Sequence, residues 1–305
     1  MNSRAAQFFQ KVELENSKIR YPDSVIFLCG GNVNNTTGTI KSLRDFIYKN
    51  RSKFFPVSQV VLAEKASAAF DSRIYDDLLQ FESYLASVSR LVLLVSESEG
   101  SIAELGAFSQ IQEISTKLLV FIHSQFYGAN SFIKDGPIRF LENANEQSVQ
   151  EFDWAINRTK NIPKQSAENL IEPMQHAIQG FTKRQPLSEK FDRKRIGHQI
   201  LLVAGVIYTL RCCKFREIAA TLNLLEFECN ETDIKRCIFC LDLYGWIKIV
   251  KRETKYYMYQ RSISPFVFRG LGTRADFDAI RVRHDVLNAY ESTDPRLTVI
   301  DSVAP

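Results

Sequence analysis

Apolar positions in the first half of the chain gather into short, β-branched runs separated by amphipathic stretches. The runs at 24–29, 57–63, 90–95 and 117–122 have strand length and near-continuous apolar character. Between them, apolar residues recur at helical spacing: Ile40, Leu43, Phe46 and Ile47, then Leu78, Leu79, Tyr84, Leu85 and Val88 within 75–89, then Ile102, Leu105, Phe108 and Ile111. Strands apolar on both sides and alternating with helices predict an α/β fold with a Rossmann-like parallel sheet covered on both faces. Such a pattern does not encode strand order. Further helices are predicted at 140–144, at 149–156 around Trp154, and at 167–181.

The pattern changes after the polar, charged stretch 183–195, which reads as a linker. A helix at 198–210 is apolar on most sides, and 214–223 follows as a second. The third, at 230–245, has Asn230 or Thr232 as its N-cap and Gly245 as its stop. Residues 246–259 then alternate at period two about a turn at 252–254, which predicts a β-hairpin. This order of helices and hairpin closely resembles winged helix-turn-helix domains. The resulting organisation is an α/β domain with a helical extension over 1–182, a linker over 183–195, a C-terminal winged helix-turn-helix over 196–266, and a tail over 267–305 carrying Arg269, Arg274, Arg281, Arg283 and His284.

Composition adds limits. The chain has 305 residues, 45% hydrophobic and 24% charged, which excludes general disorder and suits about two domains. No run approaches the roughly 18 to 20 apolar residues that span a bilayer, and no apolar leader precedes the charged start, so a cytoplasmic protein without membrane contact is expected. Cys237 and Cys240 form the one CxxC pair. With no second pair and four scattered histidines, reduced structural thiols and no metal are expected. Residues 1–180 hold 18 basic and 20 acidic side chains, whereas 181–305 hold 21 and 15, so the second half is the one suited to an acidic partner. Lys235 and Arg236 on the third helix, with Lys248, Lys251, Arg252 and Lys255 on the hairpin, can contact nucleic-acid phosphates, although winged helices also dock proteins. Tyr256, Tyr257 and Tyr259 suit either base stacking or the core.

Ligands of open parallel sheets bind outside the carboxyl ends of the strands. Two loops there carry chemistry. In Gly30-Gly31-Asn32, glycines permit close backbone approach, and the helix that follows can favour phosphate. In Ser98-Glu99-Gly100-Ser101-Ile102-Ala103-Glu104-Leu105-Gly106, Ser101 and Glu104 have capping-box spacing, so Glu104 is either a helix cap or a carboxylate facing a bound sugar. Small residues at Gly106 and Ala107 fit tight packing against the sheet or a ligand. The run Gly100 to Gly106 resembles the signature of nucleoside 2-deoxyribosyltransferases and related N-glycosidases, D-x-G-T-x-x-E-x-G. The resemblance extends over roughly 22–145. It implies that Glu104 attacks or stabilises the anomeric carbon, that Ser101 takes the Thr position, and that Glu82, seven residues before Ser89, is the acidic partner. Ser98 stands where that family has Asp. Tyr75, with Gly30, Gly31 and Asn32, is placed at the substrate. Nicotinamide departs without a proton, so loss of an acid is better tolerated with NAD than with a purine nucleoside.

As a whole the chain resembles effectors of bacterial retron anti-phage systems. The resemblance implies a toxic N-glycosidase that consumes NAD or a related nucleotide as substrate, without a separate cofactor. It also implies restraint by a reverse transcriptase and its branched RNA–DNA product, msDNA, and homo-oligomers. The rival reading is a nucleotide-sensing transcription regulator without catalysis. A phosphoribohydrolase is weakened by the absence of P-G-G-x-G-T-x-x-E.

Overall fold

The computed structural model describes residues 2–21, 25–34, 38–63, 68–270 and 277–303. Ser24, Asn35 to Thr37 and Arg274 lie outside the described residues. The strands are β1 (Lys18–Arg20), β2 (Val25–Cys29), β3 (Gln59–Leu62), β4 (Leu91–Ser96), β5 (Leu118–His123), β6 (Val149–Phe152), β7 (Ser188–Lys190), β8 (Cys213–Lys214), β9 (Ile247–Lys251), β10 (Lys255–Tyr259) and β11 (Phe266–Val267). The chain divides into two compact units, Pro22–Phe70 with Asp77–Pro186, and Met1–Tyr21 with Asp71–Asp76 and Leu187–Pro305.

The first unit is built on an all-parallel sheet in the order β3-β2-β4-β5-β6. Within the unit this is the second-first-third-fourth-fifth order of doubly wound sheets, with its switch point between β2 and β4. One face buries Ile26, Leu28, Leu93, Val95, Leu119 and Phe121 against Phe46 and Ile47 of the helix Leu43–Lys49 and Met174, Ile178 and Phe181 of the helix Ile171–Lys183. On the other face the helix Glu99–Gln110 packs on β4, and its Phe108 meets Phe27 with ring centroids 6.5 Å apart. The stretch 149–156 is not a helix. Val149–Phe152 is the edge strand β6, and Trp154 lies just beyond its carboxyl end. Its two apolar ends, three residues apart, fit a helix as well as a strand, and only pairing with β5 decides. The helix expected over 75–89 spans only its apolar positions, running Leu78–Val88 from an Asp77 cap.

In the second unit the helix Ile196–Leu210 is buried along almost its whole length, as its apolar composition requires. A Cβ on Gly205 would stand 2.4 Å from that of Phe266, so this helix and β11 touch backbone to side chain. The helices Phe215–Leu224 and Glu231–Leu243 follow. Asn230 caps the latter by accepting from the Asp233 amide, and Gly245, at φ +66, comes two residues after its end. The hairpin β9–β10 pairs Tyr259 with Ile247 through Lys255 with Lys251, and β8 adds a third strand alongside β10. Tyr256, Tyr257 and Tyr259 are buried and belong to the core. Residues 188–190, inside the stretch read as a linker, form β7 beside β1, and β11 pairs on β1's other side. Residues before 22 therefore pack in this unit. Tail residues form the helices Ala279–Asn288 and Pro295–Asp301, and Val299 and Ile300 pack on Cys212, Tyr256 and Met258.

Candidate functional site

The carboxyl ends of the parallel strands open into a cavity of about 1420 Å³ around the switch point. Gly30, Gly31 and Asn32 after β2, Glu97 and Ser98 after β4, His123 ending β5 and Trp154 after β6 line it, together with Glu82 of the helix Leu78–Val88. Gly100, Ala103, Glu104 and Ala107 also face it, at the i, i+3, i+4, i+7 spacing of a single helical stripe. Among these four Glu104 alone has a long side chain, flanked by residues too small to fill the space around it.

Glu104 does not cap its helix. The helix begins at Glu99, so Glu104 sits in its second turn rather than its first. Ser98 is the N-cap, accepting from the Ser101 amide at 3.2 Å, while Ser101 Oγ accepts from the amides of Ser98 at 2.9 Å and Glu97 at 3.0 Å. A serine replaces the usual Glu or Gln of the reciprocal box, which leaves Glu104 to the cleft. Ser101 is buried in this box and does not line the cavity. Gly106 does not pack closely either, since a Cβ there would meet nothing within 4 Å.

The glycine loop is held by residues with no obvious sequence signal. Gly30 has φ +144, and a Cβ on it would come within 2.9 Å of the Val95 carbonyl, so both backbone and space demand glycine. Arg44, buried, donates to the carbonyls of Leu28 at 2.8 Å and of Gly30 and Gly31 at 3.2 Å. Glu97 accepts from the amides of Gly31 at 3.1 Å, Leu43 at 2.7 Å and Arg44 at 3.0 Å. Burial pushes its carboxyl above the ordinary range, opposed by these three amides and by the Arg44 charge. The helix N-terminus expected to favour phosphate is thus occupied by the protein's own carboxylate. His123 Nδ1 accepts from the Gln125 amide at 3.1 Å, which fixes its proton on Nε2, 3.0 Å from the Trp154 carbonyl.

Tyr75 is not at the cleft. Its segment belongs to the second unit, where its hydroxyl donates to the Arg236 carbonyl at 2.8 Å and its ring meets Phe239 edge-on. Arg236 is committed to the same segment, donating to the Ile74 carbonyl at 2.8 Å and to Asp76 at 3.0 Å. It is therefore a tie within the unit rather than an open phosphate ligand. Lys235 is exposed beside Glu231, at 3.3 Å. Lys248, Lys251, Arg252 and Lys255 are all exposed on the hairpin. Lys251 and Lys255 face each other directly across it, a like-charge pair that costs stability unless an anion screens it.

Residues 40–249 match the family described as STM3845 retron effector protein. Among curated relatives, the Escherichia coli "Retron Ec73 putative ribosyltransferase/DNA-binding protein" is 28% identical over 223 residues, 67% of this chain and 69% of that protein. The Escherichia coli "Retron Ec86 putative ribosyltransferase/DNA-binding protein" is 34% identical over 213 residues, 68% of this chain and 66% of that protein. With more than half its length matched by the family, a stretch that holds β3 to β6 and Glu104, this chain belongs to the retron effector family STM3845.

Proposed function

We propose that the cleft of the first unit breaks the ribosyl C1′–N bond of NAD or a related nucleotide, with Glu104 as the residue facing the anomeric carbon. The carrying observation is the position of Glu104: it lies on the cavity-lining stripe of its helix, while Ser98 and Ser101 take the capping work. Breaking the bond sends its electron pair to the departing nitrogen and leaves an oxocarbenium-like centre. The Glu104 carboxylate stabilises this centre or closes on it as an ester, which water then opens. A pyridinium nitrogen leaves as neutral nicotinamide and needs no proton, so the chemistry asks for no strong acid at Ser98. Ser98 acts by positioning the helix. Glu82, which lines the same cavity, orients the ribose hydroxyls or the water. Glu97 and Arg44 hold Gly30-Gly31-Asn32 as the floor. Both nitrogens of His123 are engaged, which suits a wall beside Trp154 better than a proton donor.

The names of the two relatives pair a ribosyltransferase with DNA binding, and this chain offers two units for the two tasks. In the second unit, three helices followed by a hairpin, with β8 from between the first two helices pairing beside it, support the winged helix reading, with Lys248, Lys251, Arg252 and Lys255 as its phosphate contacts and Lys235 as a lesser one. In this reading the reverse transcriptase and msDNA of the retron hold the effector in check in the cytoplasm until infection, and the effector works as a homo-oligomer. Purified chain incubated in turn with NAD, nucleotides and nucleosides tests the chemistry. Release of free base from one of them, reduced about 10³-fold or more by Glu104→Gln, is expected. Equal release by the variant removes Glu104 from the reaction.

A further inference from the structure

A ribosyl nucleotide brings phosphate into the cleft, and phosphate needs cations. The cavity, at about 1420 Å³, exceeds the roughly 300 to 1,000 Å³ of ordinary small-molecule pockets, which leaves room for more than a nucleoside. The glycine loop and the helix start after it do not supply the anion site, because the amides of Gly31, Leu43 and Arg44 already donate to Glu97. Among the described residues, Lys41, Arg44, His123 and Lys160 are the cavity-lining groups that can carry positive charge. Arg44 is engaged by the carbonyls of Leu28, Gly30 and Gly31, and both His123 nitrogens have partners.

Lys41 and Lys160 are left. The Lys41 amide donates to Asp45 Oδ2 at 3.1 Å, but that oxygen pairs with the Lys49 ammonium, at 2.8 Å, and not with that of Lys41. Lys160 stands in a loop built on the Asn157 side chain, whose Oδ1 accepts from the amides of Thr159 at 3.0 Å and Asn161 at 2.9 Å. Its φ of 55 lies in the left-handed region, uncommon for a lysine. Both lysine side chains are exposed, with no carboxylate paired to either among the described residues. Chain segments far apart in sequence bring them to one rim. The segment after β6 carries Trp154, Ile156, Lys160 and Ile162 along the cavity, and the Ile162 amide donates to the Ile40 carbonyl, beside Lys41, at 2.9 Å. Ammonium groups bind phosphate as compact point charges. The carboxylates of Glu82 and Glu104 repel it, so a phosphate held by the lysines leaves the ribosyl carbon for the acidic part of the cleft.

We infer, on the nucleotide reading of this cleft, that Lys41 and Lys160 form its phosphate subsite, so that the substrate is a 5′-phosphorylated ribosyl compound and not a free nucleoside. Binding is measured by calorimetry on the full-length chain carrying Glu104→Gln, alone and with Lys41→Gln or Lys160→Gln, and thermal unfolding checks that each variant is folded. The probes are nicotinamide riboside, its 5′-mononucleotide and NAD, with adenosine, AMP and ADP as a second series. Each lysine variant is expected to weaken the phosphate-bearing members about tenfold relative to the nucleosides, and Lys160→Arg to restore most of the affinity. Loss that includes the monophosphates places a single phosphate at the lysines, whereas loss confined to NAD and ADP places a diphosphate there. Equal loss for nucleosides and phosphates, no loss in folded variants, or no binding of any probe overturns the subsite. Base release from the same compounds is followed in parallel with Glu104 intact. Lysine-dependent phosphate binding without base release from any of them keeps the subsite and overturns the glycosidic chemistry. Base release that is indifferent to phosphate keeps the chemistry and overturns the subsite.

Discussion

At the scale of single residues, the division of labour at the start of the helix Glu99–Gln110 decides how Glu104 is read. Because Ser98 and Ser101 satisfy each other and the first amides, Ser98→Ala is expected to cost about 1 kcal/mol of stability in chemical denaturation. Glu104→Gln should leave stability nearly unchanged, and a large loss from it would return Glu104 to a structural role. Gly106, open on the outside of the same helix, should gain about 1 kcal/mol on replacement by alanine. The thiols give a chemical check. Burial pushes the Cys212 thiol up to about 12 and raises Cys213, Cys237 and Cys240 as well, so the thiolate form is scarce in the folded chain at neutral pH. Alkylation of the native protein followed by mass spectrometry should label Cys229 first, the cysteine that is only half-buried. Early labelling of Cys237 and Cys240 would contradict the described packing.

At the scale of elements, β2, β4 and β5 were legible because buried parallel strands need β-branched, apolar runs and little else, and the half-buried edge strand β3 keeps enough of that run to be read too. The edge strand β6 was not, since Val149 and Phe152 enclose two polar residues and also fit a helical turn. β1, β7 and β11 are two or three residues long, and their pairing depends on segments far apart in sequence. The same is true of 71–76, whose place is set by Arg236 and Tyr75. In the cleft, the glycines and Glu104 carried motif signals. Glu97 and Arg44 did not, because their partners are backbone groups that any sequence possesses. Close packing of the helix Ile196–Leu210 on β11 yields a direct test. Gly205→Ala should destabilise the second unit by about 1–3 kcal/mol in a denaturant titration, through the clash with Phe266. A neutral result would mean that this helix has room to shift.

At the scale of the molecule, the chain joins an acid-lined cleft at the switch point of a parallel sheet to a unit whose exposed hairpin is basic. Membership of a retron effector family gives both parts a common setting, and no helix among the described residues is long and apolar enough to cross a membrane. The central claim is that Glu104 serves chemistry in that setting. Its most direct test is the intracellular pool of NAD and nucleotides, measured by mass spectrometry after induction of the chain alone, of Glu104→Gln, and of the chain with its retron partners before and after phage infection. The account predicts a fall in NAD or a related nucleotide with release of the free base, absent in Glu104→Gln and suppressed by the partners until infection. Pools that stay constant in every arm would contradict it and leave a nucleotide-sensing, DNA-binding regulator as the better reading.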